Sequence, residues 1–216
     1  MSSALPPNRF LEIEQALNKR WPENKIEPSL DRIIALLDAL GSPQLSYPTI
    51  HLAGTNGKTT TARMIDQLLT ELGYRVGRYT SPHLESFTER ISIKGAPISD
   101  EMMIKTYDDI ALYLDLIDSR QPIPISFFEA ITAMAFVAFA EYPVDVGVIE
   151  AGMGGQWDAT NVLASLVSVM TPIGFDHMEY LGNTLTEIAQ TKAGIFKPES
   201  NVVLAAQSSE VAKVLM

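Results

Sequence analysis

The stretch Ile50-His51-Leu52-Ala53-Gly54-Thr55-Asn56-Gly57-Lys58-Thr59-Thr60 passes from an apolar strand through a glycine turn into the start of a helix. Such a turn can hold a polyphosphate. Successive backbone N–H groups wrap the anion, glycine lets the backbone come close, and the helix N-terminus adds partial positive charge. Gly54, Thr55, Asn56 and Gly57 supply the turn, Lys58 neutralises the β/γ-phosphates, and the hydroxyl of Thr59 or Thr60 meets phosphate or metal. The common pattern G-x-x-x-x-G-K-[ST] would put its first glycine at position 52, which is Leu52 here. The competing reading, a surface turn that happens to contain Gly-Lys-Thr, is weaker because a strand and a helix flank it.

Outward from this loop the chain alternates strands and helices. Upstream, Phe10 to Trp21 and Ser29 to Leu40 carry apolar residues at helical spacing, with Ser29 as N-cap and Gly41 as C-terminal stop. Thr49 to Ala53 is a strand, and Thr59 to Leu72 a helix ending at Gly73. Tyr74 to Thr80 and Arg90 to Lys94 read as strands, and Asp100 to Ile117 as a helix preceded by Ser99. Phe127 to Ala140 is an apolar helix buried on several sides, while Val144 to Ile149 and Leu166 to Met170 suit the inside of a parallel sheet. A helix near Leu185 to Ala193, a strand near Val202 to Leu204 and helical turns from Ser208 complete the pattern. The expected fold is α/β, a mostly parallel sheet flanked by helices with a phosphate loop, residues 1–45 forming a helical lead-in.

The 216 residues are 46% hydrophobic and 19% charged, enough for a sizeable core in one large domain or two small ones. Lys and Arg number 16 against 26 Asp and Glu, a net charge of −10 that argues against nucleic acid or an anionic membrane as partner. An anionic ligand must then be held by a local device. The absence of cysteine excludes a disulfide framework, thiolate zinc and a cysteine nucleophile. Met1 to Phe10 lacks a basic-then-apolar signal, and no apolar run reaches about 18 residues, so a cytoplasmic, soluble protein is expected. The last residues, Val214-Leu215-Met216, are apolar, as in a chain cut short of its natural end.

The loop Gly54-Thr55-Asn56-Gly57-Lys58-Thr59 resembles the ATP loop of the Mur ligase superfamily, and more of the chain resembles one branch of it, the dihydrofolate synthase/folylpolyglutamate synthase family. Tyr79-Thr80-Ser81-Pro82-His83-Leu84 with Glu89-Arg90-Ile91 resembles the loop after that family's second strand. Ser126-Phe127-Phe128-Glu129-Ala130 is similar to its Phe-Glu helix start. Val148-Ile149-Glu150-Ala151-Gly152-Met153-Gly154-Gly155 with Asp158-Ala159-Thr160-Asn161 is similar to its glycine loop. Asp176-His177, Leu181-Gly182 and Lys192-Ala193-Gly194-Ile195 follow in the family's order. Two positions depart from its pattern: Gln156 where arginine is usual, and Thr191 where glutamate is common.

The resemblance implies an ATP-dependent ligase that joins glutamate to dihydropteroate, to a folate, or to both, as a monomer with no nucleic-acid or membrane partner. A carboxylate is a poor electrophile, and the family activates it as an acyl phosphate before the glutamate amine attacks. Lys58, Lys192 and His177 would be catalytic. Ser81 and Glu150 would hold one Mg²⁺ and His177 a second, with Lys192 carbamylated as an oxygen ligand. Ile26, Glu27 and Pro28, Ser126, Phe127, Phe128 and Glu129, and Trp157, Asp158 and Ala159 would contact the pterin. A flat heterocycle wants an aromatic wall, Phe128 or Trp157, and an acceptor such as Asp158. The family also carries a C-terminal domain that closes over the nucleotide and helps bind glutamate, and these 216 residues hold none of it.

Each candidate has a plainer alternative. Glu150 would be one half of a structural salt bridge, Ser81 the start of a Ser-Pro turn, and Lys192 a cation at a helix C-terminus. Phe127 and Phe128 would be core, and Glu85 to Arg90 a solvated loop. His51 reads as a packed core residue, and Met134, Met153, Met170 and Met178 as core filler. At the level of the whole chain, the rivals are a cell-wall Mur ligase, a nucleotide- and pterin-binding module without catalysis, and a generic P-loop kinase or GTPase.

Overall fold

The computed structural model describes residues 8–22 and 27–216. Seven strands form one sheet in the order β4-β3-β2-β5-β1-β6-β7. They are β1 (Thr49–Ala53), β2 (Val76–Tyr79), β3 (Ile91–Ile93), β4 (Ala96–Pro97), β5 (Val146–Glu150), β6 (Val167–Met170) and β7 (Asn201–Leu204). β2, β5, β1, β6 and β7 are parallel, and the β3–β4 hairpin adds to the β2 edge antiparallel. The helices are α1 (Arg9–Asn18), α2 (Asp31–Ala39), α3 (Lys58–Glu71), α4 (Asp100–Asp118), α5 (Phe127–Glu141), α6 (Met178–Leu181), α7 (Leu185–Ala193) and α8 (Ser209–Leu215). No helix among the described residues is long and apolar enough to cross a membrane.

Strand alternation sorts the core into two layers. Leu52, Val148 and Val76 meet Ala62 of α3 on one face. Tyr79 and Ile149 turn to the other, where α5 packs with α1, α2 and α4. From Ala130 to Phe139 every residue of α5 is buried, the expected fate of a helix apolar all round. Its N-terminus is closed by a capping box in which Ser126 Oγ accepts the Glu129 N–H and Glu129 accepts the Ser126 N–H.

The helix stops read from Gly41 and Gly73 are Schellman turns. Gly41 takes φ +79°, with Ser42 N–H donating to Leu37 O at 2.8 Å; Gly73 takes φ +93°, with Tyr74 N–H donating to Leu69 O at 3.0 Å. The second turn uses up Tyr74, so β2 is shorter than Tyr74 to Thr80. Other boundaries moved as well. The cap of α2 is Leu30, and Ser29 Oγ accepts from Asp31 N–H without capping the helix. The first helix ends at Asn18 because Trp21 leaves it to pair with the start of α5, its carbonyl accepting from Phe127 N–H at 2.9 Å. β4 and α6 were not anticipated; at two and four residues they are too short to show a period.

The topology points to one edge. From β1 the chain crosses through α3 to β2 on one side, whereas from β5 it crosses to β6 on the other. β5 and β1 are neighbours, so the connections diverge between them. The crevice outside their C-terminal ends is where open α/β sheets bind ligands.

Candidate active site

The phosphate loop leaves β1 at that crevice. Leu52, standing where a longer loop would have glycine, is a fully buried strand residue in register with Val169 and Glu150. The turn therefore begins only at Gly54. Its φ is +140°, and a Cβ there would fall 2.0 Å from Thr171 Oγ1, so only glycine fits. Contrary to expectation, the Thr55 and Asn56 amides do not face an anion: both donate to Pro172 O, at 3.0 and 3.1 Å. They pin the loop to the exit of β6. The N–H groups left for an anion are those of Gly57, Lys58, Thr59 and Thr60, at the start of α3 before its ladder begins at Thr61.

Two ammonium groups meet on one carbonyl. Lys58 Nζ lies 3.1 Å from Gly54 O and Lys192 Nζ 2.9 Å from it. Lys192 is almost wholly buried at the end of α7, and burial, with repulsion from Lys58 second, brings its pKa down to about 8. It is therefore no ordinary surface cation at a helix end.

Glu150 closes β5 with 1% of its surface exposed. Its two oxygens accept the Thr59 hydroxyl at 2.9 and 3.0 Å, and the Ser81 N–H adds a backbone bond. Burial raises its pKa against these bonds and against the field of Lys58. No salt bridge closes on it among the described residues, so the structural salt bridge is not its role. A buried carboxylate with hydroxyl neighbours beside a phosphate site suits Mg²⁺, which needs few protein ligands and keeps several waters. An all-protein cage does not form: no group of three or more His, Asp or Glu is placed to hold a metal among the described residues. His177 sits at φ +46° before α6, half-exposed, its Nε2 3.5 Å from Asp176.

A cleft of about 410 Å³ opens beside these groups, and Lys58, Ser81 and His177 lie on its wall. It gathers Glu27, Pro28, Ser126, Phe128, Glu129, Trp157, Asp158 and Ala159. Phe128 lies so close over Gly152 that a Cβ there would fall 2.5 Å from the ring. Phe127 is not in this cleft. Helical phase turns it into the core, where the Arg90 guanidinium sits 5.0 Å from its ring centroid. Ile26 lies outside the described residues.

One expected role is corrected by the bonding. Asp158 is buried, and its carboxylate accepts from Met153 N–H at 2.8 Å, Thr160 N–H at 3.0 Å and the Thr160 hydroxyl at 2.5 Å. It shapes its own loop and is not a free acceptor. Glu129 is likewise engaged, by its capping box and by Arg32, whose Nε lies 3.0 and 3.2 Å from its two oxygens.

Sequence reasoning missed Arg32, Trp21, Pro22, Pro82, Gly152 and Met153 as cleft residues. The signal for Arg32 was there, a single cation in the apolar helix α2. The two departures from the family pattern adjoin, with Gln156 N–H donating to Thr191 O at 2.9 Å. The segment Glu85 to Arg90 is not a loose solvated loop: Glu89 accepts from the amides of Leu84, Glu85 and Ser86, which holds its pKa down at about 2, and Arg90 is buried.

The Mur ligase middle domain model matches residues 52–215. The dihydrofolate synthase/folylpolyglutamate synthase of Mycobacterium tuberculosis is 52% identical over 220 residues, covering 96% of this chain and 45% of that protein. The structure of Mycobacterium tuberculosis folylpolyglutamate synthase complexed with ADP superposes with a TM-score of 0.89 at 52% identity, over 96% of this chain and 47% of that one. An FPGS–AMPPCP–folate complex gives a TM-score of 0.90 at 38% identity, over 95% of this chain and 50% of that one. The chain spans about half the length of the curated relatives it matches.

Proposed function

The chain belongs to the Mur ligase middle-domain family, and on that premise we propose that it is the ATP-binding part of a ligase joining L-glutamate to dihydropteroate, to a folate, or to both. The observation that carries this reading is the placement of an aromatic-walled cleft directly against Lys58 at the sheet's divergence point. Relatives named as folate ligases, and one structure holding both AMPPCP and folate, support it.

The chemistry runs in two steps. The substrate carboxylate attacks the γ-phosphorus of ATP, the bond to the bridging oxygen breaks, and ADP departs. The amine of glutamate then attacks the carbonyl of the acyl phosphate, loses a proton, and releases phosphate as the amide forms. Phosphoryl transfer depends on position and charge. The first-turn amides of α3 hold the phosphates, and Lys58 leaves Gly54 O for the β/γ oxygens. Phe128 and Trp157 wall the pterin so that its benzoate end points at the γ-phosphate.

Ser81 and Glu150 would hold one Mg²⁺, and His177 with Lys192 a second, supplying charge neutralisation on the phosphates. For Lys192 this requires a carbamate, formed when its neutral amine adds to carbon dioxide and loses a proton. A buried amine whose pKa is about 8 supplies that neutral form far more readily than an ordinary lysine. We place the protein in the cytoplasm as a monomer, the glutamate site being completed by a C-terminal domain as in the family.

Titration calorimetry with Mg-ATP and with dihydropteroate, each with and without the other, tests the reading. Binding of both is expected. A folded chain that binds neither overturns the site assignment for these residues.

A further inference from the structure

A continuous run of hydrogen bonds joins the strand that feeds the phosphate loop to the wall of the cleft. His51, on β1, is fully buried, and its Nε2 lies 2.8 Å from Thr160 Oγ1. Thr160 Oγ1 lies 2.5 Å from Asp158 Oδ1, which also takes the Thr160 N–H, while Asp158 Oδ2 takes the Met153 N–H.

The direction of the run follows from counting donors. Both carboxylate oxygens receive N–H groups, so the carboxylate is the acceptor and the Thr160 hydroxyl hydrogen goes to it. The hydroxyl's lone pairs then face His51, whose Nε2 must carry the hydrogen. Burial and nearby Lys197 keep the imidazole neutral, with a pKa of about 3, so Nδ1 is bare. Nδ1 also has no partner among the described residues. An unmet buried acceptor is a standing cost that Leu or Phe at this position would not carry. Packing alone does not account for histidine here.

We propose that His51 is a positioning residue, the terminal donor of a His51–Thr160–Asp158 relay that sets the Gly152–Met153 wall of the cleft. β1 is held by ladders on both sides and does not need the relay. The loop from Gly152 to Asp158 has no ladder, and its Met153 amide is fastened by Asp158. Loss of the relay therefore falls on the cleft and spares the phosphate site. The ligand consequence rests on the pterin reading of that cleft; the hydrogen's place on the ring does not.

The first test is nitrogen NMR of the imidazoles, with the His51 signals identified by their loss in His51→Gln. Hydrogen on Nε2 and a bare Nδ1 are expected; hydrogen on Nδ1 overturns the relay. The second compares ligands by calorimetry. Thr160→Val should weaken dihydropteroate binding about tenfold and change Mg-ATP affinity by less than about twofold, the scale of one hydrogen bond to a charged group. Thr160→Ser should restore it. His51→Gln, whose side-chain nitrogen stands where Nε2 stands, should keep most of the affinity that His51→Leu loses. Equal losses for the two ligands, or no recovery with serine, overturn the proposal. A wild-type chain that binds no dihydropteroate overturns the pterin reading alone, and the ring hydrogen still decides the relay.

Discussion

At the scale of single residues, the site is a balance between one buried lysine, one half-buried lysine and one buried carboxylate. Lys58→Ala should remove most ATP-dependent turnover in the full-length enzyme while circular dichroism stays unchanged. Turnover like wild type would remove Lys58 from the phosphate site. Glu150→Gln keeps the shape and loses the charge, so its Mg²⁺ dependence should weaken more than its dihydropteroate affinity does. Equal loss of both would make Glu150 a structural residue. Lys192 leaves a mark on stability. The unfolded chain holds that proton up to about 10.5, whereas the folded chain releases it near 8. Over that window the unfolded state binds more protons, so folding stability rises with pH. Lys192→Met should flatten the rise, as read from urea midpoints at several pH values. An unchanged slope would mean that Lys192 is not desolvated.

At the scale of elements, some caps were legible, Ser99 and the Gly41 and Gly73 stops among them, although Ser29 did not cap α2, whereas the partners across the fold were not. Ser126→Ala should cost about 1 kcal/mol in urea unfolding, the usual worth of an N-cap side chain. It should also loosen the cleft, because Ser126 Oγ holds the Glu129 N–H and the Glu129 carboxylate in turn pairs with Arg32. A change within error would mean that α5 is held by its buried faces alone. α2 could be read because its burial recurs at helical spacing, and α5 and β5 because each is an apolar run buried on every side. Gly41 and Gly73 could be read because left-handed turns need them. The Arg32–Glu129 pair spans 97 positions and the His51–Thr160 bond 109, and no local pattern encodes either. Which of Phe127 and Phe128 faces the cleft depends on the phase of α5, set by a carbonyl bond to Trp21 about a hundred residues away. The pinning of Thr55 and Asn56 by Pro172 was hidden for the same reason.

At the scale of the whole molecule, the sheet turns a scattered sequence into one surface. Parallel strands bring their exits to one edge, so segments from Glu27 to Lys192 meet there although none is contiguous with the next. Motif order was enough to place most of these segments at one site, because the loops at Gly54, Ser81, Gly152 and His177 each follow a parallel strand, whereas Ser126 opens α5 after α4 and Lys192 ends α7. It was not enough to say which amides stay open to a ligand.

The strand order also governs how the molecule is made. β1 and β2 come early in the chain but never touch, since β5 lies between them. During synthesis the central parallel ladders must wait until Val146–Glu150 has left the ribosome, because only then does β1 gain its first neighbour and β2, already able to pair with β3, its parallel one. A nascent chain ending at residue 144 should show no slowed amide exchange in Thr49–Ala53, whose ladder partners β5 and β6 are still to come. Extending it through Glu150 should protect Thr49–Ala53. Until that point the apolar helix α5 is without its sheet, and this is the interval in which a chaperone would find it.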